Sequence, residues 1–121
     1  MKQKIIAVVL LLIVISFVTV NTIIIDKQIY DMIKEVKGIE TDSASAKDKS
    51  REIFGKFKRM ETFIGLTVNH DDITNIEDCF VEMVGYLSIG NGDEAEVVKS
   101  RLTNSLEHLR RLSTFTFDAI I

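Results

Sequence analysis

The 121-residue chain contains no proline, no tryptophan and only one cysteine. Without proline, the strongest helix breaker is missing, and long uninterrupted helices are expected. A single cysteine excludes an intrachain disulfide and any multi-cysteine zinc site. Cys79 adjoins Phe80 in a helical pattern, and no Lys, Arg or His stands directly beside it to lower its pKa. It therefore reads as a small buried side chain rather than a reactive thiol. No β-rich pattern and no Gly-rich phosphate loop competes with a helical reading. A basic excess is missing too. The net charge is −3, and because Lys2 and Lys4 are the only charges before Asp26, the remainder carries −5. That balance argues against nucleic acid as a partner.

What the N-terminal part has instead is hydrocarbon. From Ile5 to Ile25 the chain reads IIAVVLLLIVISFVTVNTIII, without a charge, and sixteen of these residues are Ile, Leu, Val or Phe. At ~1.5 Å per helical residue the run spans ~30 Å, the thickness of a bilayer core. A cleaved signal peptide is the competing reading. Its apolar core is normally ~7–15 residues and ends at a small-x-small site. Here the run is longer, and the nearest such site, Ala44-Ser45-Ala46, comes late and inside a helical pattern. An uncleaved anchor over residues 1–25 is favoured, with residues 26–121 as one further domain. Lys2 and Lys4 before the span put the N-terminus in the cytoplasm and the domain outside the cell membrane, by the positive-inside rule. Lys27, Lys34 and Lys37 on the other flank narrow that margin.

Beyond the span, four helical stripes are visible. Ile25, Ile29, Met32, Ile33 and Val36 continue the anchor as one rod to Gly38. Ala46, Ile53, Phe57, Met60 and Ile64 form the second stripe, capped by Asp42 or Ser43. Ile73, Ile76, Phe80, Met83, Val84 and Leu87 form the third. After the turn SIGNG, Ala95, Val98, Leu102, Leu106, Leu109 and Leu112 form the fourth, with Asp93 as cap and Glu96 at the capping-box position. The prediction is an all-α fold: a transmembrane helix continuing into an antiparallel bundle of about four helices. Asp42 and Asp93 open similar acidic turns 51 positions apart, a faint echo of two tandem hairpins.

The tail STFTFDAII differs. Phe115, Phe117, Ala119 and Ile121 alternate, which predicts a short extended hydrophobic segment. Either it packs along the bundle or Phe115, Phe117, Ile120 and Ile121 dock into a partner.

The stretch NHDDITNIEDC holds the most chemistry. Asn69 with Asp72 three residues on reads as a helix cap with an acidic first turn. Pairing the third and fourth stripes outward from their short turn sets Ile73 near Leu109. That brings His108 toward His70, Asp71 and Glu77, a weak candidate metal or proton site. There is no His-x-x-x-His or Glu-x-x-His spacing to strengthen it. The same topology puts the turn at His70 nearest the membrane. Lys56, Lys58 and Arg59 on the returning second helix are then candidates for lipid headgroups, or a solvated face.

At HDDITNIEDCFVEMVGYL and LTNSLEHLRRL the chain resembles a family of small membrane-anchored proteins of spore-forming Gram-positive bacteria, whose shared domain has no assigned function. The resemblance rests on His70, Asp71, Asp72, Ile73, Ile76, Glu77, Glu107 and His108. The acidic-x-x-x-Ala turn at Asp42 and Ala46 and the hydrophobic tail Phe117 to Ile121 agree with it. Ile53, Phe54 and Phe57 stand where such proteins carry Trp. Members are often encoded beside multi-pass membrane proteins, which implies an accessory subunit. Together these readings predict a non-enzymatic interaction protein, with the lipid bilayer and a multi-pass membrane protein as partners. No cofactor and no small-molecule substrate is indicated. The alternative is a metal- or proton-responsive module centred on His70, Glu77 and His108.

Overall fold

The structure, a computed structural model, describes residues 1–64 and 69–120, with side chains described to Glu61 and from Asn69 to Leu112. Four helices account for nearly all of it: α1 Lys2–Lys37, α2 Ala46–Ile64, α3 His70–Ser88 and α4 Gly92–Ile120. α1 packs on α2 and α4, and α3 packs on the same two, so the helices form a closed ring of four neighbours. Ion pairs and polar contacts fix the sense of the packing. Between α3 and α4, Asn75 meets Ser105 and Glu82 meets Arg101, and between α1 and α4, Asp26 meets Arg110 and Ile39 meets Lys99, so these neighbours run antiparallel. We call the end holding Asp26, His70 and Arg110 the base, and the end holding Ile39 and Asn91 the top.

The seam follows the stripes. In α1 the buried residues are Ile25, Ile29, Met32, Ile33 and Val36, continued by Ile39. In α2 they are Ala46, Ser50, Ile53, Phe57 and Met60. α3 contributes Ile73, Ile76, Cys79, Phe80 and Met83, and α4 contributes Ala95, Val98, Leu102, Leu106 and Leu109. Alternating steps of three and four keep one face of each helix turned inward, the spacing that left-handed bundles use. Phe80 is the hub of the α2–α3 contact. Its ring stacks on Phe54 at 5.1 Å and meets Phe57 at 5.8 Å. Ser50 is buried without cost to polar pairing, because its hydroxyl donates to the Ala46 carbonyl at 2.8 Å.

The top is closed by local rules. The α3–α4 turn is a Schellman motif: Gly90 N–H donates to Leu87 O and Asn91 N–H to Tyr86 O. Gly90 has φ +74°, the left-handed conformation that glycine adopts freely. The cap of α4 is Asn91, whose Oδ1 accepts from the Glu94 amide at 3.2 Å, and not the expected Asp93. Glu96, expected in a capping box, instead accepts from Thr41 Oγ1 at 2.9 Å and pairs with Lys99 at 3.1 Å. Lys99 also donates to the Ile39 carbonyl at 2.9 Å. The α1–α2 loop is thereby tied to α4, and a Cβ on Gly92 would lie 3.2 Å from Thr41 O.

The C-terminal segment is a correction to the expected extended tail: α4 runs on to Ile120. Beyond Gly92 no Gly or Pro interrupts α4. Each further residue adds a backbone hydrogen bond to an existing helix, which outweighs a weak two-residue alternation. The side chains of Phe115, Phe117 and Ile120, and residue Ile121 altogether, lie outside the described residues.

Phe80 is fully buried, whereas its neighbour Val81 is 58% exposed. Phe80→Ala is expected to lower stability by about 3–5 kcal/mol. Val81→Ala should change it by less than about 0.5 kcal/mol. Thermal unfolding of the detergent-solubilised chain, followed by circular dichroism, checks both.

Candidate functional site

The base of the bundle collects most of the ionisable groups singled out in the sequence, but not as one cluster. α3 begins at Asn69, whose Oδ1 accepts from the Asp71 amide at 3.1 Å. Two acidic residues, Asp71 and Asp72, occupy its first turn, where the helix dipole favours them. Asp71 itself is exposed. From here the helical repeat sends the side chains to different seams. His70 and Glu77 are seven residues apart and share a face toward α2. Asp72 lies roughly half a turn away from them, toward α4.

On the α3–α4 side, His108 Nε2 lies 3.9 Å from Asp72 Oδ1. His108 thus faces Asp72 rather than the expected Asp71. Asn75 donates to Ser105 Oγ at 3.3 Å beside it, in a shallow recess of about 210 Å³. On the α2–α3 side, Glu61 and Glu77 face one another, with His70 and Lys58 within electrostatic reach. Among the described residues, no group of three His, Cys, Asp or Glu side chains is placed to hold a metal ion. The four metal candidates His70, Asp71, Glu77 and His108 therefore divide between two seams and solvent.

The Glu61–Glu77 contact has its own chemistry. Glu61 Oε1 is buried and has no donor. The group opposite it is another carboxylate, and two ionised carboxylates only accept hydrogen bonds. One proton between them resolves the conflict. The hydrogen bond to Glu77 accordingly pushes Glu61 above the ordinary carboxylate range, and burial and repulsion from Glu77 act in the same direction. Lys58 and His70 oppose the shift. Sequence reading passed over Glu61, although it sits four residues after the buried Phe57. A carboxylate at a stripe position was the available signal.

A third polar group marks where α1 leaves the bundle. Arg110 donates to both carboxylate oxygens of Asp26, at 2.7 and 3.3 Å. Its guanidinium also lies 4.9 Å from the centre of the Tyr30 ring, and Lys34 approaches the same ring at 4.6 Å. The hydrogen bond to Asp26 raises the Arg110 pKa further, so this charge is permanent. Sequence spacing alone gave no hint of it, because the partners lie 84 residues apart.

The headgroup candidates lie higher. Lys56 is held by Glu35 at 3.1 Å, about 14 Å along α1 from Asp26. Lys58 sits 5.3 Å from the centre of the Phe54 ring. Arg59 lines a groove of about 300 Å³ with Gln28, Asp31 and Glu35 between α1 and α2.

Because Glu61 binds its proton more tightly folded than unfolded, the associated stability is fully present below the unfolded carboxylate pKa. It is lost as pH rises through the folded one. Glu61→Gln replaces the proton-dependent donor with a permanent amide. It should raise stability at pH 7–8 by roughly 1 kcal/mol, or ~4–8 °C, and flatten the loss that sets in as pH rises above the ordinary carboxylate range. Thermal melts across pH 5–8 decide the matter, and parallel pH profiles for the two proteins would refute the shared proton.

No protein-family model matches the chain, and no curated protein and no solved structure shows significant similarity to it.

Proposed function

We propose that the protein is a membrane-anchored, non-enzymatic accessory protein that presents its helical bundle at the outer face of the cell membrane to a multi-pass membrane protein. The observation that carries this reading is the division of α1. One unbroken helix has an exposed apolar half, long and apolar enough to cross a bilayer, and a second half that supplies a quarter of the bundle core. A signal sequence passes the same length and composition test. Signal peptidase, however, needs an extended cleavage segment. The chain from Thr22 through Ile29 is helical, with Ile25 and Ile29 buried in the bundle. An anchor that stays attached fits these facts better than a leader that is removed.

Orientation rests on Lys2 and Lys4 ahead of the span, which the positive-inside rule keeps in the cytoplasm. The accessory role draws on the resemblance carried by His70, Asp72, Glu77 and His108.

A second reading, a proton-responsive module, is favoured by one observation, the buried Glu61 oxygen facing Glu77. Its centre is that carboxyl pair rather than His70, Glu77 and His108 as a set.

In native membranes the chain should resist alkaline carbonate extraction at its full mass. Cross-linking there should recover it joined to a larger integral membrane protein. A mature chain that is washed free and lacks its first two dozen residues overturns the anchor. Recovery of free monomer alone overturns the accessory role.

A further inference from the structure

We propose that the last turns of α4, from Leu112 to Ile120, are seated in the bilayer alongside residues 18–22 of α1, so that the protein meets the membrane with two helices. This rests on the anchor reading above. α4 runs antiparallel to α1, with Arg110 level with Asp26 and Lys99 level with Ile39. Ten residues of α4 follow Arg110, and they extend it by ~15 Å. Continued in the same register, Ile120 comes level with about residue 16 of α1, well inside the apolar span.

Burial on α1 ends at the same level. Residues 2–17 are exposed on every face. Val18, Thr19, Asn21 and Thr22 are partly covered, at helical spacing below the buried Ile25, while Val20, Ile23 and Ile24 stay exposed. The covered face thus continues the bundle seam downward for as far as α4 reaches, and stops where α4 stops.

Composition agrees on both helices. The polar residues of the span, Ser16, Thr19, Asn21 and Thr22, all lie within the levels that α4 reaches, and none falls between Ile5 and Ile15. Thr19 satisfies its hydroxyl by donating to the Ile15 carbonyl at 2.7 Å. An amide such as Asn21 is tolerated in lipid when a second helix lies against it. In α4, five of residues 112–120 are Leu, Phe, Ala or Ile, and their one charge, Asp118, comes level with Val18 and Thr19.

The chain has no tryptophan, so single-tryptophan variants report without background. Full-length Phe117→Trp and, separately, Phe115→Trp would be placed in vesicles with lipids brominated on the acyl chains. Phe17→Trp, in the exposed span, is the lipid standard, and Val81→Trp, on the outer face of α3, is the aqueous standard. At least one tail variant should be quenched by bromine to half the extent of Phe17→Trp or more, and resist aqueous iodide. Adjacency to α1 is read in a Cys79→Ser background. Thr22→Cys paired with cysteine at each of positions 113–116 should give a disulfide in at least one combination. If both tail variants follow Val81→Trp while Phe17→Trp is quenched by lipid, the proposal is overturned and the anchor stands. Absence of every disulfide also overturns the pairing. If Phe17→Trp itself escapes the lipid quencher, the anchor falls and this proposal with it.

Discussion

Burial along α1 begins at Ile25 without any break in the helix, and the rest of the fold depends on that continuity. A flexible linker would let the bundle tumble above whatever holds the apolar span. A continuous helix does not. Ile25, Ile29, Met32, Ile33 and Val36 lock the upper half of α1 into the same core as Phe57, Phe80 and Leu102, so the direction of the span and the direction of the bundle are one quantity.

The two ends of the bundle are secured by different means. At the top, short loops bring backbone and side chains together: the Schellman turn at Gly90, Asn91 as cap, and the Thr41–Glu96–Lys99 link between hairpins. The Schellman turn and the Asn91 cap are local, whereas Thr41 and Glu96 are 55 residues apart. At the base the links join ionisable side chains: Asp26 with Arg110, Asp72 with His108 and Glu61 with Glu77. In the first the Arg110 charge is permanent, while the last depends on a proton at Glu61. The base is therefore the end whose packing responds to its surroundings, and it is also the end from which the apolar half of α1 departs.

The division between what the sequence made legible and what it hid follows the same line. The apolar run, the four stripes and their antiparallel order follow from periodicity, since a buried face must repeat every three or four residues. Ile29, Phe57, Phe80 and Leu106 sit where that rule puts them. Caps were harder, because Asn91, Asp93 and Glu96 offer two consistent frames, and the loop contact from Thr41 chose between them. The tail misled because Phe115, Phe117 and Ala119 alternate, while the absence of any stop signal after Gly92 was the weightier fact. Lateral pairing was least legible. A linear reading grouped His70, Asp71, Glu77 and His108 by level alone, but level fixes only height. Rotation about α3 separates Asp72 from Glu77 by more than a third of a turn and delivers them to different neighbours.

That rotation also explains why the carboxyl pair lies where it does. Glu77 is turned toward α2, and its counterpart is the residue four positions below Phe57, so the pair lies one layer beneath the Phe54–Phe57–Phe80 cluster. The contact with Glu77 raises the Glu61 pKa first, and partial burial and repulsion from Glu77 add to it. Lys58 and His70 pull the other way, but Lys58 is drawn toward the Phe54 ring and His70 is exposed. The balance leaves a proton on the pair at pH values where isolated carboxylates have lost theirs. Asp26 escapes this conflict because Arg110 supplies a fixed positive charge in bidentate geometry, with the Tyr30 ring behind it. The exit of α1 is thus held by a permanent positive charge, while the neighbouring α2–α3 seam depends on the proton at Glu61. A rise in pH that removes this proton would weaken α2 against α3.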